Sequence, residues 1–231
     1  GENNIILGVI TAQDVLEVYD EEMGEDYARL GGLSAEEDLN EPLWDSVKKR
    51  LPWLVILLFL GLVVSTVVGL FETVVAQLTI IMAFQSLILD MSGNVGTQSL
   101  AVTIRVLMDE RLTGKQKLSL IGKEMAVGGL NGLVIGVFSL VGIGVYLSLF
   151  KQQPLHLAVA ISACIGVSLM VSMVISSFVG TITPIFFKKV GVDPAAASGP
   201  LITTINDLVG VVSYYGLTWI LLLNILHIGA A

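Results

Sequence analysis

Long apolar segments constrain this chain more than any other feature. The first, Leu51–Phe71, has 21 residues and no charged side chain. A helix of about 20 apolar residues crosses the roughly 30 Å hydrocarbon core of a bilayer. Four further apolar segments follow, at about 73–108, 118–150, 157–187 and 199–228. Charged residues make up 14% of the chain, whereas soluble domains carry about 25%. We therefore predict an all-α polytopic membrane protein with five transmembrane helices in a membrane domain over residues 51–231.

The basic residues predict the orientation of these spans. Five spans place the two ends of the chain on opposite sides of the membrane. Eleven of the 12 Lys and Arg residues fall on the N-terminal side, and only Lys151 falls on the other. Because cytosolic loops carry an excess of Lys and Arg, we expect a cytosolic N-terminus and an extracytosolic C-terminus.

A carboxylate, Asp207, lies about one third of the way along the fifth apolar segment. A charge at bilayer depth costs about 2.5–3.5 kcal/mol or more, so it is a functional candidate by default. The alternative is an Asp that faces a wet vestibule or pairs within the bundle for structural reasons. Thr203, Asp207 and Gly210 are spaced to share one helix face, and Asn206 flanks it. We take Asp207, Thr203 and Asn206 as candidate pore residues.

The second apolar segment contains a polar stripe. As one helix its 36 residues would be about 54 Å long, so it projects beyond the membrane or is broken. Asp90, Asn94 and Gln98 are four residues apart and share one helix face. Gly93 and Gly96 permit close backbone approach or a local break. A polar seam between helices is the alternative, but this many polar groups and glycines within nine residues favour the wall of a pore or binding site.

The N-terminal part of the chain is strongly acidic. Thirteen of the 20 Asp and Glu residues precede Leu51, which argues against a nucleic-acid partner and for a cationic one. Residues 20–50 form an acidic connector that leads to the membrane, with a break at Gly31-Gly32. The sequence Ser34-Ala-Glu-Glu37 predicts a new helix start. The acids could form a solvated helix face or a cation site, and the sequence leaves both open.

Residues 1–19 are predicted to form a strand, a turn and a helix. Residues 4–10 suggest a strand, and Thr11 and Asp14 suggest the cap of the following helix. One strand and one helix cannot bury a core, so we expect the tail of a cytosolic domain whose upstream part lies outside this chain.

The chemistry of the membrane residues favours a hydrated divalent cation. One carboxylate per subunit, with hydroxyls and carbonyls, is too sparse to strip a cation of its water, and Mg²⁺ usually keeps several waters. No His/Cys cluster suits Zn²⁺ or copper, and no Thr-Val-Gly-Tyr-Gly filter suits K⁺. On this ground alone Mg²⁺ is only slightly favoured over Mn²⁺ or Ca²⁺. Five helices are few for one pathway, so we expect a pore on the two-fold axis of a homodimer.

Two other functions remain open from the residues. Asp207 could be the proton site of a proton- or sodium-coupled cation carrier. Asp90 and Asp207 could serve an intramembrane aspartyl protease, but Asp207 lacks the Gly-x-Gly-Asp context of that class. We do not expect an enzyme.

Two membrane motifs resemble those of the MgtE magnesium channels. They are Asp90-Met-Ser-Gly-Asn-Val-Gly-Thr-Gln-Ser99 and Asp193-Pro-Ala-Ala-Ala-Ser-Gly-Pro-Leu-Ile-Thr-Thr-Ile-Asn-Asp207. Leu51-Pro-Trp-Leu54 is similar to the first span of that family, and residues 7–16 to the end of its CBS domain. The resemblance implies a homodimeric Mg²⁺ channel of the bacterial inner membrane, with a pore lined by the second and fifth spans. Asp207 would be its ion-selecting carboxylate.

The resemblance also implies regulation by cytosolic Mg²⁺. In that family a connecting plug helix closes the pore when Mg²⁺ is abundant. Glu22, Glu25 and Asp26 roughly match its acidic motif, and Asp193 faces the same side. These four carboxylates are candidate ligands of regulatory Mg²⁺, in addition to the Mg²⁺ that is transported.

Overall fold

The computed structural model describes residues 9–35, 40–108, 112–197 and 199–228. Within these ranges the chain forms helices and no strand, so the all-α prediction for the membrane domain is confirmed there. The strand predicted at residues 4–10 lies almost entirely outside the described residues. The helices are α1 (Ala12–Leu30), α2 (Leu43–Leu70), α3 (Glu72–Gln77), α4 (Gln85–Leu107), α5 (Gly114–Leu149), α6 (Leu155–Lys189) and α7 (Gly199–Leu217).

Helix α1 begins and ends where its sequence predicts. The Thr11 hydroxyl accepts a hydrogen bond from the Asp14 amide at 3.2 Å, and the Asp14 carboxylate accepts one from the Thr11 amide at 2.6 Å. The helix ends before Gly31, and Gly32 has a φ of 82°, a conformation that favours glycine. One helix therefore crosses from the predicted domain tail into the acidic connector. The helix start predicted at Ser34 depends on residues 36 and 37, which lie outside the described residues.

Four helical stretches of the described chain are long and apolar enough to cross a membrane. They are α2, α5, α6 and the stretch Gly199–Ile225, in which α7 continues as the wider π-helical segment Thr218–Ile225. The second predicted span is broken rather than continuous. Helix α3 ends at Gln77, a 3₁₀ turn follows at Thr79–Phe84, and α4 begins at Gln85. Helix α4 has 23 residues, or about 34 Å, which is sufficient length for a fifth span.

Helix α6 is the centre of the bundle, and it packs against α4, α5 and α7. Pro184 lies inside α6, which continues to Lys189, slightly beyond the end predicted for the fourth segment. Proline removes one backbone donor and need not stop a helix whose neighbours support it.

Helix α2, by contrast, has no buried residue. The first predicted span therefore lies largely outside the packed core of one chain.

Three glycines of α5, each four residues from the next, form a small-residue ridge at the interface with α6. Gly128, Gly132 and Gly136 are all buried there. A methyl group at Gly136 would lie 2.8 Å from the carbonyl oxygen of Gly166 on α6. The two backbones therefore approach to a distance that only glycine permits.

We expect Gly136→Ala to destabilise the bundle by about 1–3 kcal/mol, because the added methyl group forces α5 and α6 apart. Gly142→Ala on the same helix is the matched control, since a methyl group there meets no atom within 4 Å. Thermal unfolding in detergent measures both. Equal melting temperatures for the two variants would contradict this packing.

Candidate ion site between helices α4 and α7

Helices α4 and α7 lie antiparallel, and close contacts fix their register. At one end the Tyr215 hydroxyl donates a hydrogen bond to the Gln85 side chain at 2.5 Å. In the middle, a methyl group at Gly210 would lie 3.3 Å from the Ser92 hydroxyl. At the other end Gly199 lies against the side chain of Thr97. This register places Asp207 level with residues 90–94 of α4.

Asp207 is half-buried, in the N-terminal half of α7. Among the residues that the structure describes, its carboxylate forms no hydrogen bond and no ion pair. A carboxylate at this depth without a cationic partner is available to bind a cation.

Two threonine hydroxyls lie about one helical turn from Asp207. Thr203 is exposed, and its hydroxyl oxygen is 3.5 Å from that of Thr97 on α4. Gly93 makes this approach possible, because a methyl group there would lie 3.0 Å from the Thr203 methyl carbon. The structure thus brings together two predicted site residues, Gly93 and Thr203. Thr97 was not among the predicted site residues, although it lies within the α4 motif.

The polar stripe on α4 forms as predicted but lies beside the α7 contact. Asp90, Asn94 and Gln98 are all exposed on one face, and the Asn94 amide donates a hydrogen bond to Asp90 at 3.1 Å. Gly93 and Gly96 face α7 instead. Within one chain, therefore, the stripe is an open polar face next to Asp207, and the glycines form the contact.

Asn206 is placed differently from its neighbours. Its side chain is 0% exposed and lies against Gly96. Neither its amide nitrogen nor its amide oxygen has a hydrogen-bond partner. Within the single chain, Asn206 therefore contacts the helix interface and not the open face on which Thr203 lies.

At the end of the bundle where α7 begins, Arg29 links α1 to the connection between α6 and α7. Its guanidinium donates hydrogen bonds to Glu25, at 2.9 Å, and to Asp193. Asp193 also accepts a hydrogen bond from the Ala195 amide at 2.9 Å. Arg29 was not among the predicted site residues, although it is the one basic residue between Asp20 and Asp45. Its i+4 spacing from Glu25 was the available signal.

The predicted regulatory carboxylates lie around this contact in unequal environments. Glu22 and Glu25 are exposed, and Asp26 and Asp193 are half-buried. Burial raises the pKa of the Asp26 carboxyl above its usual value, and repulsion from Asp193 raises it further. Within the described ranges, no group of three Asp, Glu, His or Cys side chains is arranged to hold a metal ion. These acids therefore surround one cation, the Arg29 side chain, and do not form a set of metal ligands.

A buried carboxylate, Glu124, was not among the predicted site residues. It is 6% exposed on α5 and forms no hydrogen bond or ion pair in the described part of the chain. Its four-residue spacing to Gly128 places it on the ridge that faces α6, and that spacing was the available signal. It belongs to α5 and is not part of the site between α4 and α7.

Several membrane-length helices, with an intramembrane carboxylate beside hydroxyls and glycines, define a multi-pass protein of the ion-transporting class. Comparison with known proteins narrows this class. The chain belongs to the MgtE family, whose model is described as a divalent cation transporter and matches residues 85–217. The match begins at the first residue of α4 and ends at the last residue of α7, so it contains the entire candidate site. The family resemblance inferred from the two membrane motifs is confirmed.

Three curated relatives show the same relationship over most of the chain. The magnesium transporter MgtE of Enterococcus faecalis is 36% identical over 214 residues, which are 92% of this chain and 45% of that protein. The Bacillus subtilis protein of the same name is 34% identical over 94% of this chain and 46% of its own length. The Thermus thermophilus protein of the same name is 34% identical over 96% of this chain and 47% of its own length. The chain thus spans a little under half the length of the curated relatives it matches.

Proposed function

We propose that this chain is the membrane pathway of a magnesium transporter, in which Asp207 selects the ion. The observation that carries the proposal is an unpaired, half-buried carboxylate beside the glycine contact of α4 and α7. The matched family is described as a divalent cation transporter, and the three relatives are named magnesium transporters. Mg²⁺ uptake into proteoliposomes by the wild type and by Asp207→Ala tests the proposal.

The pathway has five spans with a cytosolic N-terminus. Helix α4 is the fifth span in addition to the four longest apolar stretches, because its 23 residues reach about 34 Å. With five spans the two chain ends lie on opposite sides, and the distribution of Lys and Arg assigns the α1 side to the cytosol. Asp207 then lies in the cytosolic half of its span, and the protein resides in the bacterial inner membrane.

The pore forms between two copies of the chain. The polar stripe of α4 is exposed in one copy, although such a face is costly in lipid. A two-fold axis beside this stripe would cover it and would bring the two Asp207 carboxylates to one passage. Two carboxylates balance the charge of one Mg²⁺, and the waters that the ion retains complete its six ligands.

We expect a cysteine at Asn94 to form a disulfide cross-link between two copies, because the stripe faces the two-fold axis. Cys164, the single cysteine of the sequence, is replaced by Ser in the background. Leu130→Cys is the control, since Leu130 is 66% exposed on α5, away from this axis. Non-reducing gels after oxidation in membranes measure the cross-link. Efficient cross-linking at residue 130 and none at residue 94 would contradict the placement of the axis.

Cytosolic Mg²⁺ closes the pathway through α1. The contact of Arg29 with Asp193 holds α1 against the segment that leads into α7. Around this contact the carboxylates Glu22, Glu25 and Asp26 repel one another and Asp193. Bound Mg²⁺ would reduce that repulsion and favour the docked α1, which is the differential affinity that a regulatory ligand requires.

We expect the docking of α1 to strengthen as the pH falls. The pKa of Asp26 is raised in the docked state by burial and by Asp193, so docked Asp26 binds its proton more tightly than undocked Asp26. Stability from this group is present at low pH and is lost as the pH rises through the docked-state pKa. Because Asp26 is partly solvated, the effect is below about 1 kcal/mol.

Spin labels at Tyr19 and Val190, both exposed, report the docking as a distance between α1 and the end of α6. Asp26→Asn should shorten the mean distance at neutral pH and make it independent of pH. A pH dependence that survives this substitution would assign the titration to another group.

A proton- or sodium-coupled carrier is the second candidate function. The same unpaired Asp207 favours it, because a carboxylate without a cationic partner can bind a proton as well as a metal ion. The two functions differ in whether a Mg²⁺ gradient alone drives transport.

A further inference from the structure

Asn206 fills a notch at the meeting point of three helices. A methyl group at Gly96 of α4 would overlap the Asn206 amide nitrogen and would lie 3.2 Å from Ile202. A methyl group at Gly180 of α6 would in turn overlap the carbonyl oxygen of Gly96. The backbones of α4 and α6 therefore meet directly, and the Asn206 side chain occupies the space that remains on the α7 side.

The amide of Asn206 is an unusual group for this position. It is 0% exposed, and both of its polar atoms lack a hydrogen-bond partner. The buried hydroxyls of Ser176 and Ser177 on α6 also lack partners. Burial of an amide without a hydrogen bond costs free energy, whereas an apolar side chain of similar volume would fill the notch without that cost. Packing alone therefore favours Leu over Asn here, and a functional reason for Asn is expected.

The position of Asn206 determines where the next residue points. Successive residues of an α-helix are rotated by about 100°. With Asn206 held against Gly96, Asp207 is turned toward the edge of the α4–α7 interface, where Thr203 lies exposed beside Thr97. A rotation of α7 by one residue would bring Asp207 against Gly96 and turn it away from the open face.

We propose that Asn206 is a positioning residue that sets the rotation of α7 and thereby the ion selectivity of Asp207. The proposal rests on the pathway function proposed above. The side chain of Asn206 fits the glycine notch by shape. Because its amide has no hydrogen-bond partner, the free energy of this contact is only weakly favourable. Helix α7 can then adjust its rotation when the Asp207 carboxylates engage a hydrated ion. A fully apolar contact would hold α7 too firmly for that adjustment.

Asn206→Leu separates this role from a purely structural one. We expect the variant to raise the melting temperature, because it removes the unpaired amide, and yet to lower the ratio of Mg²⁺ to Ca²⁺ uptake at least fivefold. Asn206→Ala, which leaves the notch unfilled, should lower both the melting temperature and the uptake ratio. If Asn206→Leu fails to fold, Asn206→Ala carries the test alone.

Thr204→Val is the matched control, because Thr204 is a half-buried residue of α7 whose hydroxyl donates to the Pro200 carbonyl at 2.9 Å. Its uptake ratio should stay within twofold of the wild type. An unchanged ratio in both Asn206 variants, with Asp207→Ala inactive, would overturn the positioning role and leave the proposed function intact. Full activity of Asp207→Ala would instead overturn the proposed function itself.

Discussion

Asp207→Ala is expected to reduce Mg²⁺ uptake by at least 10- to 100-fold. Interactions with a charged group contribute about 1.5–3 kcal/mol, and each 1.4 kcal/mol is a factor of ten in affinity. On a two-fold axis the substitution removes both carboxylates at once, so the passage loses all the negative charge that Asp207 provides. The residual flux should discriminate poorly between Mg²⁺, Mn²⁺ and Ca²⁺. Uptake into proteoliposomes with an internal Mg²⁺ indicator measures the rate, and competition with the other two ions measures the selectivity.

Two variants make this experiment specific. Asp207→Glu keeps the charge but extends the side chain by one methylene, so it should retain flux and alter the selectivity. Glu72→Gln removes an exposed carboxylate at the start of α3 and should leave both unchanged. If Asp207→Ala kept the uptake rate and selectivity of the wild type, the ion would have to take another route.

The second large effect is expected from the acids of α1. Combined replacement of Glu22 and Glu25 by Gln and of Asp26 by Asn should lower the Mg²⁺ concentration that half-inhibits flux by at least tenfold. The substitutions remove the repulsion that Mg²⁺ has to overcome, so α1 docks with much less of the ion. Patch-clamp recording, or uptake at a series of cytosolic-side Mg²⁺ concentrations, measures the shift.

Arg29 and a second set of acids provide the controls. Arg29→Met removes the cation that bridges Glu25 and Asp193, so docking should depend more strongly on Mg²⁺. Neutralising three other acids of the same helix, Glu17, Asp20 and Glu21, should have little effect. An equal shift from this control triple would mean that the acids act only through general screening.

The sequence predicted the elements of the fold well because each has a local signal. Long apolar runs give α2, α5 and α6, and the Thr11–Asp14 pair gives the start of α1. The break in the second apolar segment was left open, because the sequence sets the length of that segment but does not determine where it bends. Helix α6 continues past Pro184, because neighbouring helices support it.

The candidate site was only partly predictable, for a geometric reason. Helical spacing shows that Asp90, Asn94 and Gln98 share a face, but it does not show which face a neighbouring helix covers. The contacts at Gly93 and Gly96 decide that, and they turn the stripe outward within one chain. The burial of Asn206 and the contact between Arg29 and Asp193 depend on residues distant in sequence. Local patterns carry no signal for either.

The central claim is that Mg²⁺ passes along α7 at Asp207, driven by its own gradient. The most direct measurement is Mg²⁺ uptake into proteoliposomes with symmetric pH and Na⁺ and a clamped membrane potential, for the wild type and Asp207→Asn. We predict rapid uptake by the wild type that changes little when a proton or Na⁺ gradient is added, and at least tenfold slower uptake by the variant. Wild-type uptake that requires one of those gradients, or equal uptake by Asp207→Asn, would contradict the account.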